Sequence, residues 1–368
     1  MRRMRQNYET MLTNAIDAHQ AELIHAPLRA AMIHTTSYVG HHGCTLVCRR
    51  IGELAADNGI QIASWLPLRF DEMRIDWTRY DLLLVNGEGS LHGDRPAAHL
   101  IANLARLAER IGRPAYLINS VYENNGRGVA AGVSRYRRIY MRESLSRDRA
   151  REAGLSAEIV PDLSLTWRPS CLPARGDGIV VNDSTLGATR HELFELSREI
   201  DAAYITINGR PPRLVDFPGR NIGRQARYDL KRILGRLSPP GRRRSAAVNG
   251  ISVFDAFVEK LASDAAVLVT GRFHGVCLAL DLEIPVLALA SNTHKIQGLC
   301  ADVGIESRLF GSVSEIRRLL KASHLRDLRY SPDELKRIRS FRQAALVRAQ
   351  AMFKSIADDA IGLGRRQH

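Results

Sequence analysis

Short apolar runs alternate with amphipathic segments along nearly the whole chain, and this alternation constrains the fold more than any other feature. A parallel sheet flanked by helices produces it, because the strands are buried on both faces while each crossover helix is buried on one. In the first half, residues 28–33, 60–65, 81–85, 115–119, 138–141 and 158–160 read as strands, with helices filling the gaps. Segment 43–58 carries Leu46, Val47, Ile51 and Leu54 on one face and stops at Gly59. Segment 95–111 repeats the pattern with Leu100, Leu104 and Leu107 and stops at Gly112.

The texture breaks at 167–178 (WRPSCLPARGDG), where two prolines and two glycines read as an interdomain linker. Strand patterns then return at 179–182, 203–208, 265–270 and 284–289, with helices at 252–263, 273–282 and 294–302. At about 150 residues per domain, the chain of 368 residues divides into two. The expectation is an α/β chain of two Rossmann-like domains facing across a cleft. Its parts are an N-terminal helical extension (1–24), an N-terminal domain (25–168), a linker (169–178), a C-terminal domain (179–330) and a final amphipathic helix (331–368). The apolar side of that helix, from Leu335 and Ile338 to Phe353 and Ile356, reads either as packing across the domain seam or as a basic anchor on an anionic membrane.

Composition narrows the class of function. With 45% hydrophobic and 25% charged residues the chain is globular, neither disordered nor collagen-like. No apolar run approaches the roughly 18 residues that cross a bilayer, and the N-terminus lacks the apolar core of a secretory signal. The expected location is therefore the cytoplasm. Five cysteines, an odd number without a CxxC pair, read as reduced thiols. Cys44 and Cys48 share a helix face, but no partners are spaced around them for tetrahedral zinc, so no metal is expected; His41 and His42 are the nearest candidates. The 53 basic residues exceed the 39 acidic ones by 14, yet only six are Lys and the excess is dispersed. The exception is 220–244, with nine basic residues and one acid, Asp229. No nucleic-acid-binding motif accompanies it, so a solvated or membrane-facing surface is favoured over nucleic acid.

Four loops after strands could carry chemistry, since ligands of such sheets bind beyond the carboxyl ends of the strands. Residues 35–43 (TTSYVGHHG) lead into a helix N-terminus that attracts anions. Residues 86–93 (NGEGSLHG) place Gly87 and Gly89 for close backbone approach and offer the side chains of Ser90 and His92; the loop lacks the ending of a P-loop. Glu88 there is either a base toward a substrate hydroxyl or a solvated loop residue. Residues 269–275 (VTGRFHG) set Arg272 and His274 two apart at a helix start. That pairs a guanidinium fork for carboxylate or phosphate with a titratable imidazole, although Arg272 could equally salt-bridge across the cleft and His274 cap the helix. Residues 291–295 (SNTHK) add Asn292, His294 and Lys295 beside it.

At these loops the chain resembles the polysaccharide pyruvyl transferases. The matching pieces are the Gly-rich first loop, Gly87-Glu88-Gly89-Ser90-Leu91, Arg142-Glu143-Ser144, Pro161-Asp162, Gly271-Arg272-Phe273-His274 and the stretch 292–298. Two pieces depart from the family pattern: Glu88 stands where three successive glycines are common, and Glu143 where Asp is common. The resemblance implies a GT-B-like fold and transfer of a pyruvyl group from phosphoenolpyruvate to two hydroxyls of a cell-surface polysaccharide sugar or a lipid-linked precursor, giving a cyclic ketal and phosphate. It implies that the N-terminal domain faces the acceptor and the C-terminal domain the donor. Arg272 then binds the donor's carboxylate or phosphate, His274 binds the anion or acts as general acid, Lys295 or His294 assists, and Glu88 is the base. Arg142, Asn292, Gly87, Gly89 and Ser90 bind substrate, with no cofactor and no metal. The expected location remains the cytoplasm, with peripheral contact at the inner face of the plasma membrane as the option that the basic amphipathic helix leaves open.

Two other classes compete. A nucleotide-sugar-dependent GT-B glycosyltransferase would hold a diphosphate on the same cations, because fold alone does not separate the two chemistries. A non-enzymatic basic surface protein would rest on 220–244.

Overall fold

The computed structural model describes residues 27–37, 40–169, 176–209, 251 and 253–364. The expected extension 1–24, residues 170–175 of the linker and the basic stretch 220–244 lie outside the described residues. The first half runs β1 (Leu28–Ile33), α1 (His42–Ala56), β2 (Ile60–Leu66), β3 (Leu82–Glu88), α2 (Pro96–Arg110), β4 (Ala115–Ser120), α3 (Arg127–Val133), β5 (Arg138–Met141), α4 (Ser144–Glu152) and β6 (Ala157–Ile159). Its strands pair in parallel in the order β2-β1-β3-β4-β5-β6.

The second half runs β7 (Gly178–Ser184), α5 (Gly187–Glu199), β8 (Ala203–Ile205), α6 (Phe254–Asp264), β9 (Ala265–Gly271), α7 (Phe273–Asp281), β10 (Val286–Leu289), α8 (Lys295–Val303), β11 (Leu309–Phe310) and α9 (Val313–Ala322). Its parallel sheet has the order β11-β10-β9-β7-β8. The chain is therefore two Rossmann-like α/β domains in a GT-B-like arrangement, closed by a C-terminal helix, α10 (Pro332–Gly364).

The apolar runs form buried strands as their continuity requires: every residue of β3 and β4 is buried. The first sheet packs α2 and α3 on one face and α1 with the second half of α10 on the other. The second sheet packs α6, α7 and α8 on one face and α5 and α9 on the other. Strand β3 runs three residues past the expected end at 85 because Asn86, Gly87 and Glu88, though polar or small, stay in register with Ile118 and Ser120 of β4. Strand β8 stops at Ile205, short of the expected 208, because the chain turns there toward the other domain.

Two contacts between the halves set the site. The segment 40–42 is stitched to 207–209 by His42 N–H to the Ile207 carbonyl at 3.1 Å and Gly209 N–H to the Gly40 carbonyl at 2.7 Å. Helix α10 then crosses both domains: Ile338 and Ala345 belong to the second-domain core, while Ala349, Met352, Phe353 and Ile356 belong to the first. This corrects the membrane-anchor reading of that helix, since its apolar face is already covered by protein. Each fully buried Ile or Phe there contributes about 1.5–3 kcal/mol. Among the described residues, no helix is long and apolar enough to cross a membrane.

Candidate active site

In each sheet the first strand of the domain lies beside the third (β1 by β3, β7 by β9), so successive connections leave in opposite directions and open a crevice at the strand ends. The loops after these four strands meet where the domains face. The cleft they line is assembled from side chains of both halves.

On the second-domain wall, Arg272 is the N-cap of α7, and its backbone N–H bonds Thr270 Oγ1 at 3.0 Å. Its guanidinium donates to Asp183, a buried acid at the end of β7. Arg272 therefore does form an ion pair, within its own domain, while its Nε lacks a partner among the described residues. His274, in the first turn of α7, is buried, and its Nε2 lies 3.8 Å from Asp162. Asp162 belongs to the Pro161-Asp162 piece of the first domain and also accepts from Arg142 Nη1 at 3.1 Å. Burial opposes its ionisation, but His274 and Arg142 outweigh burial and hold the carboxyl well below its usual range.

Arg142 is buried, with its guanidinium 4.1 Å over the Phe273 ring. Gly89 faces this cation: a Cβ added there would lie 3.6 Å from Arg142 Nη2 and 3.9 Å from Lys295 Nζ. Lys295 is buried and donates to Asn292 Oδ1. Burial, then the neighbouring charges of Arg142 and Arg272, push its ammonium down to about 7. Asn292 Nδ2 in turn lies 3.4 Å from His92 Nε2, across the cleft. Arg272, Arg142, Lys295 and His274 thus crowd one desolvated region, which stores repulsion that an anion would relieve.

Other expected site residues are placed differently. Gly87 serves packing: a Cβ there would come within 2.2 Å of Ser120 Oγ, so its small size lets β3 lie against β4. Ser90 closes a turn through its backbone N–H to Gly87 O at 3.1 Å. Glu88 is buried, with left-handed backbone (φ 42°). Thr36 Oγ1 and Asn86 Nδ2 donate to one carboxylate oxygen and Cys44 Sγ, at 3.3 Å, to the other. It is not the solvated loop residue that was one of its two readings. His294 is turned away from the cations into the first domain: its ring nitrogens lie 3.4 Å from Glu123 and 3.4 Å from Glu143, and its backbone N–H bonds Glu123 at 3.0 Å. His294 holds the domains together at this point.

Sequence reasoning missed Asp183 and gave Asp162 no role. Both stand at strand ends beside known cleft loops, which is the signal that could have found them. His41, read from the sequence only as a remote metal candidate, stands in the cleft with its ring facing His274, centroids 5.3 Å apart.

His41, Cys44 and His274 bring one possible metal ligand each within 4.8 Å of the others, a grouping invisible to sequence spacing. Two features make it a poor cation site. His41 Nδ1 already accepts the Cys44 N–H at 3.2 Å, so a neutral ring carries its proton on Nε2 and offers no free lone pair. Cys44 Sγ is likewise engaged, donating to Glu88 at 3.3 Å.

A search of curated proteins gives no match. Among solved structures, the glycotransferase of kitacinnamycin aligns at 14% identity and TM-score 0.46, over 92% of this chain and 99% of that one. The apo lipopolysaccharide outer core galactosyltransferase WaaB aligns at 10% and 0.45, over 91% and 99%. The UDP-GlcNAc 2-epimerase of Methanocaldococcus jannaschii aligns at 10% and 0.44, over 84% and 98%. These likenesses are too distant to bear on chemistry. The profile of the polysaccharide pyruvyl transferases, in contrast, matches residues 30–293, from β1 to the loop that carries Asn292, and the chain belongs to that family.

Proposed function

We propose that the protein transfers the pyruvyl group of phosphoenolpyruvate to two hydroxyls of one sugar, in a cell-surface polysaccharide or its lipid-linked precursor, on the cytoplasmic side of the membrane. The observation that carries this reading is the convergence of Arg272, Arg142, Lys295 and His274 on one buried region at the ends of β3 and β9. A small, multiply charged anion suits that region better than a neutral sugar.

The reaction balances without redox chemistry. A proton adds to the donor's methylene carbon, which becomes the methyl group, and positive charge develops at the adjacent carbon. The two sugar hydroxyls form C–O bonds to that carbon as the C–O bond to phosphate breaks. Of the two hydroxyl protons released, one replaces the proton spent on the methyl group and the other leaves with phosphate. Arg272, partly neutralised by Asp183, binds the anion in a fixed orientation. His274, backed by Asp162, is placed to deliver the proton. Lys295 and Arg142 stabilise the departing phosphate, so the chain's own cations serve where other transferases use a metal. Glu88, in the first domain, accepts a hydroxyl proton.

Calorimetry with phosphoenolpyruvate and with UDP tests the donor. Phosphoenolpyruvate should bind and be displaced by inorganic phosphate, and mass spectrometry of an incubated glycan should find a pyruvyl ketal. Binding of UDP with none of phosphoenolpyruvate would replace this reading with a nucleotide-sugar transferase.

A further inference from the structure

The turn after β1 ends on His41, the N-cap of α1. Its Nδ1 accepts the Cys44 backbone N–H, which fixes the tautomer: the neutral ring carries its proton on Nε2. Charging the ring is disfavoured on balance. Burial, then His274, Arg272 and His42, hold it well below the usual imidazole range, and the N-terminus of α1 adds positive potential. The acids nearby are engaged: Asp162 with His274 and Arg142, Asp183 with Arg272, and Glu88 with Thr36, Asn86 and Cys44.

His41 is also held rigidly. Its backbone forms an antiparallel bridge with Asn208 of the second domain, between the two cross-domain hydrogen bonds of the stitch at 40–42. The ring packs edge-to-face with His274, centroids 5.3 Å apart, and it is Nδ1, on the Cys44 N–H, that the helix start engages. The ring that carries the Nε2–H donor thus stands, from the first domain, beside the imidazole that the second domain offers to the anion.

We propose that His41 is a further ligand of the donor anion, an uncharged imidazole whose Nε2–H hydrogen-bonds a phosphate or carboxylate oxygen gripped by Arg272 and His274. The assignment rests on the cleft being the site of an anionic donor. Neutrality is the useful property: a second imidazolium beside His274 would drive the proton off it, whereas a neutral donor adds grip and leaves His274 the proton to be delivered. No proton is transferred by His41 itself.

Nitrogen-15 NMR of histidine-labelled protein, titrated with inorganic phosphate and separately with pyruvate, reads this directly. His41 should stay neutral with its proton on Nε2 from mildly acidic to mildly basic pH, and its Nε2–H should shift with phosphate if it binds the phosphoryl end or with pyruvate if it binds the carboxylate. His41→Ser keeps a cap oxygen but replaces the far Nε2–H with a hydroxyl too short to reach the anion; it should retain thermal stability and weaken binding of the responding anion by about 10-fold to 100-fold, the usual worth of a hydrogen bond to a charged group. His41→Asn, which offers both a cap acceptor and an N–H, should recover part of that loss. A proton on Nδ1, no response to either anion, or wild-type affinity in His41→Ser would overturn the assignment. If His41 responds to phosphate while phosphoenolpyruvate is never turned over, the donor reading fails and this one stands; turnover with an unresponsive His41 gives the reverse.

Discussion

Lys295 reads as a plain cation in the sequence, but in the fold its ammonium is buried beside Arg142 and Arg272 and is pushed down to about 7. Near neutral pH the free enzyme holds a substantial share of this lysine uncharged, and an anion bound beside it favours the charged form, so binding should draw in a proton. Calorimetry in buffers of different ionisation heat should show an uptake of about half a proton near pH 7. The uptake should vanish in mild acid, where Lys295 is already charged, and affinity should fall above that range. Lys295→Arg, charged at every accessible pH, should bind the anion without uptake; unchanged uptake in that variant would move the proton to another group. His274 calls for a different comparison. His274→Gln keeps a hydrogen-bond donor but delivers no proton, so it should bind phosphoenolpyruvate nearly normally and lose turnover by about 10² to 10⁴. Weakened binding with saturated turnover intact would make His274 an anion ligand only.

The imidazoles of His41 and His274 are set by the packing of helix α1 on α7, and Gly43 is the hinge of that contact. A Cβ at Gly43 would lie 2.2 Å from His274 Cγ and 2.3 Å from its Cβ. Gly43→Ala should therefore destabilise the fold by about 1–3 kcal/mol through overpacking and depress turnover by displacing His274. Gly52→Ala on the same helix, whose Cβ would meet only Trp65 at 3.6 Å, should instead stabilise by about 0.5–1 kcal/mol. Thermal melts and rates of the two variants check the pair; equal effects would show that helix propensity, not the contact with His274, governs Gly43. None of this was legible in the sequence, where both residues are glycines in one amphipathic stretch. What was legible were the buried strands and the loops after them, because parallel strands buried on both faces must be continuously apolar and the chain must turn at their ends. Helix α4 was given no range because SLSRDRARE has no apolar stripe; it buries only Ser146 and Ala150. His294 was grouped with Lys295 because they are neighbours in the chain. Only the fold brings Glu123 and Glu143 of the other domain around its ring and leaves Lys295 to the cleft.

The cleft works only if two separately wound sheets hold a fixed relation, and α10 supplies the longest bond between them. Its start is tied to the second domain by Arg339, bidentate to Glu283 at 2.7 Å, and by Arg342, which donates to Asp281 at 3.0 Å and also reaches the Trp167 carbonyl, at the end of the first half, at 2.9 Å. Its end is tied to the first domain, where Asp359 accepts from Tyr116 at 2.8 Å and from Arg137 at 2.9 Å. Between these anchors the apolar face passes from one core to the other without a break. A helix of 33 residues spans about 50 Å at 1.5 Å per residue, long enough to couple domains that would otherwise melt independently. Phe353, fully buried in the first-domain core, probes the coupling. Phe353→Ala should cost about 3–5 kcal/mol from lost burial and the cavity left behind. Because the helix is shared, calorimetry should show one heat-absorption peak in the parent chain and one peak, shifted down, in the variant. Val347→Glu, at a position 55% exposed on the opposite face, should leave the peak where it was. Two peaks, with only one of them moved by Phe353→Ala, would mean that α10 rests on both domains without joining their stability, and the relation between the walls of the cleft would then depend on the His294 contacts and the stitch between 40–42 and 207–209.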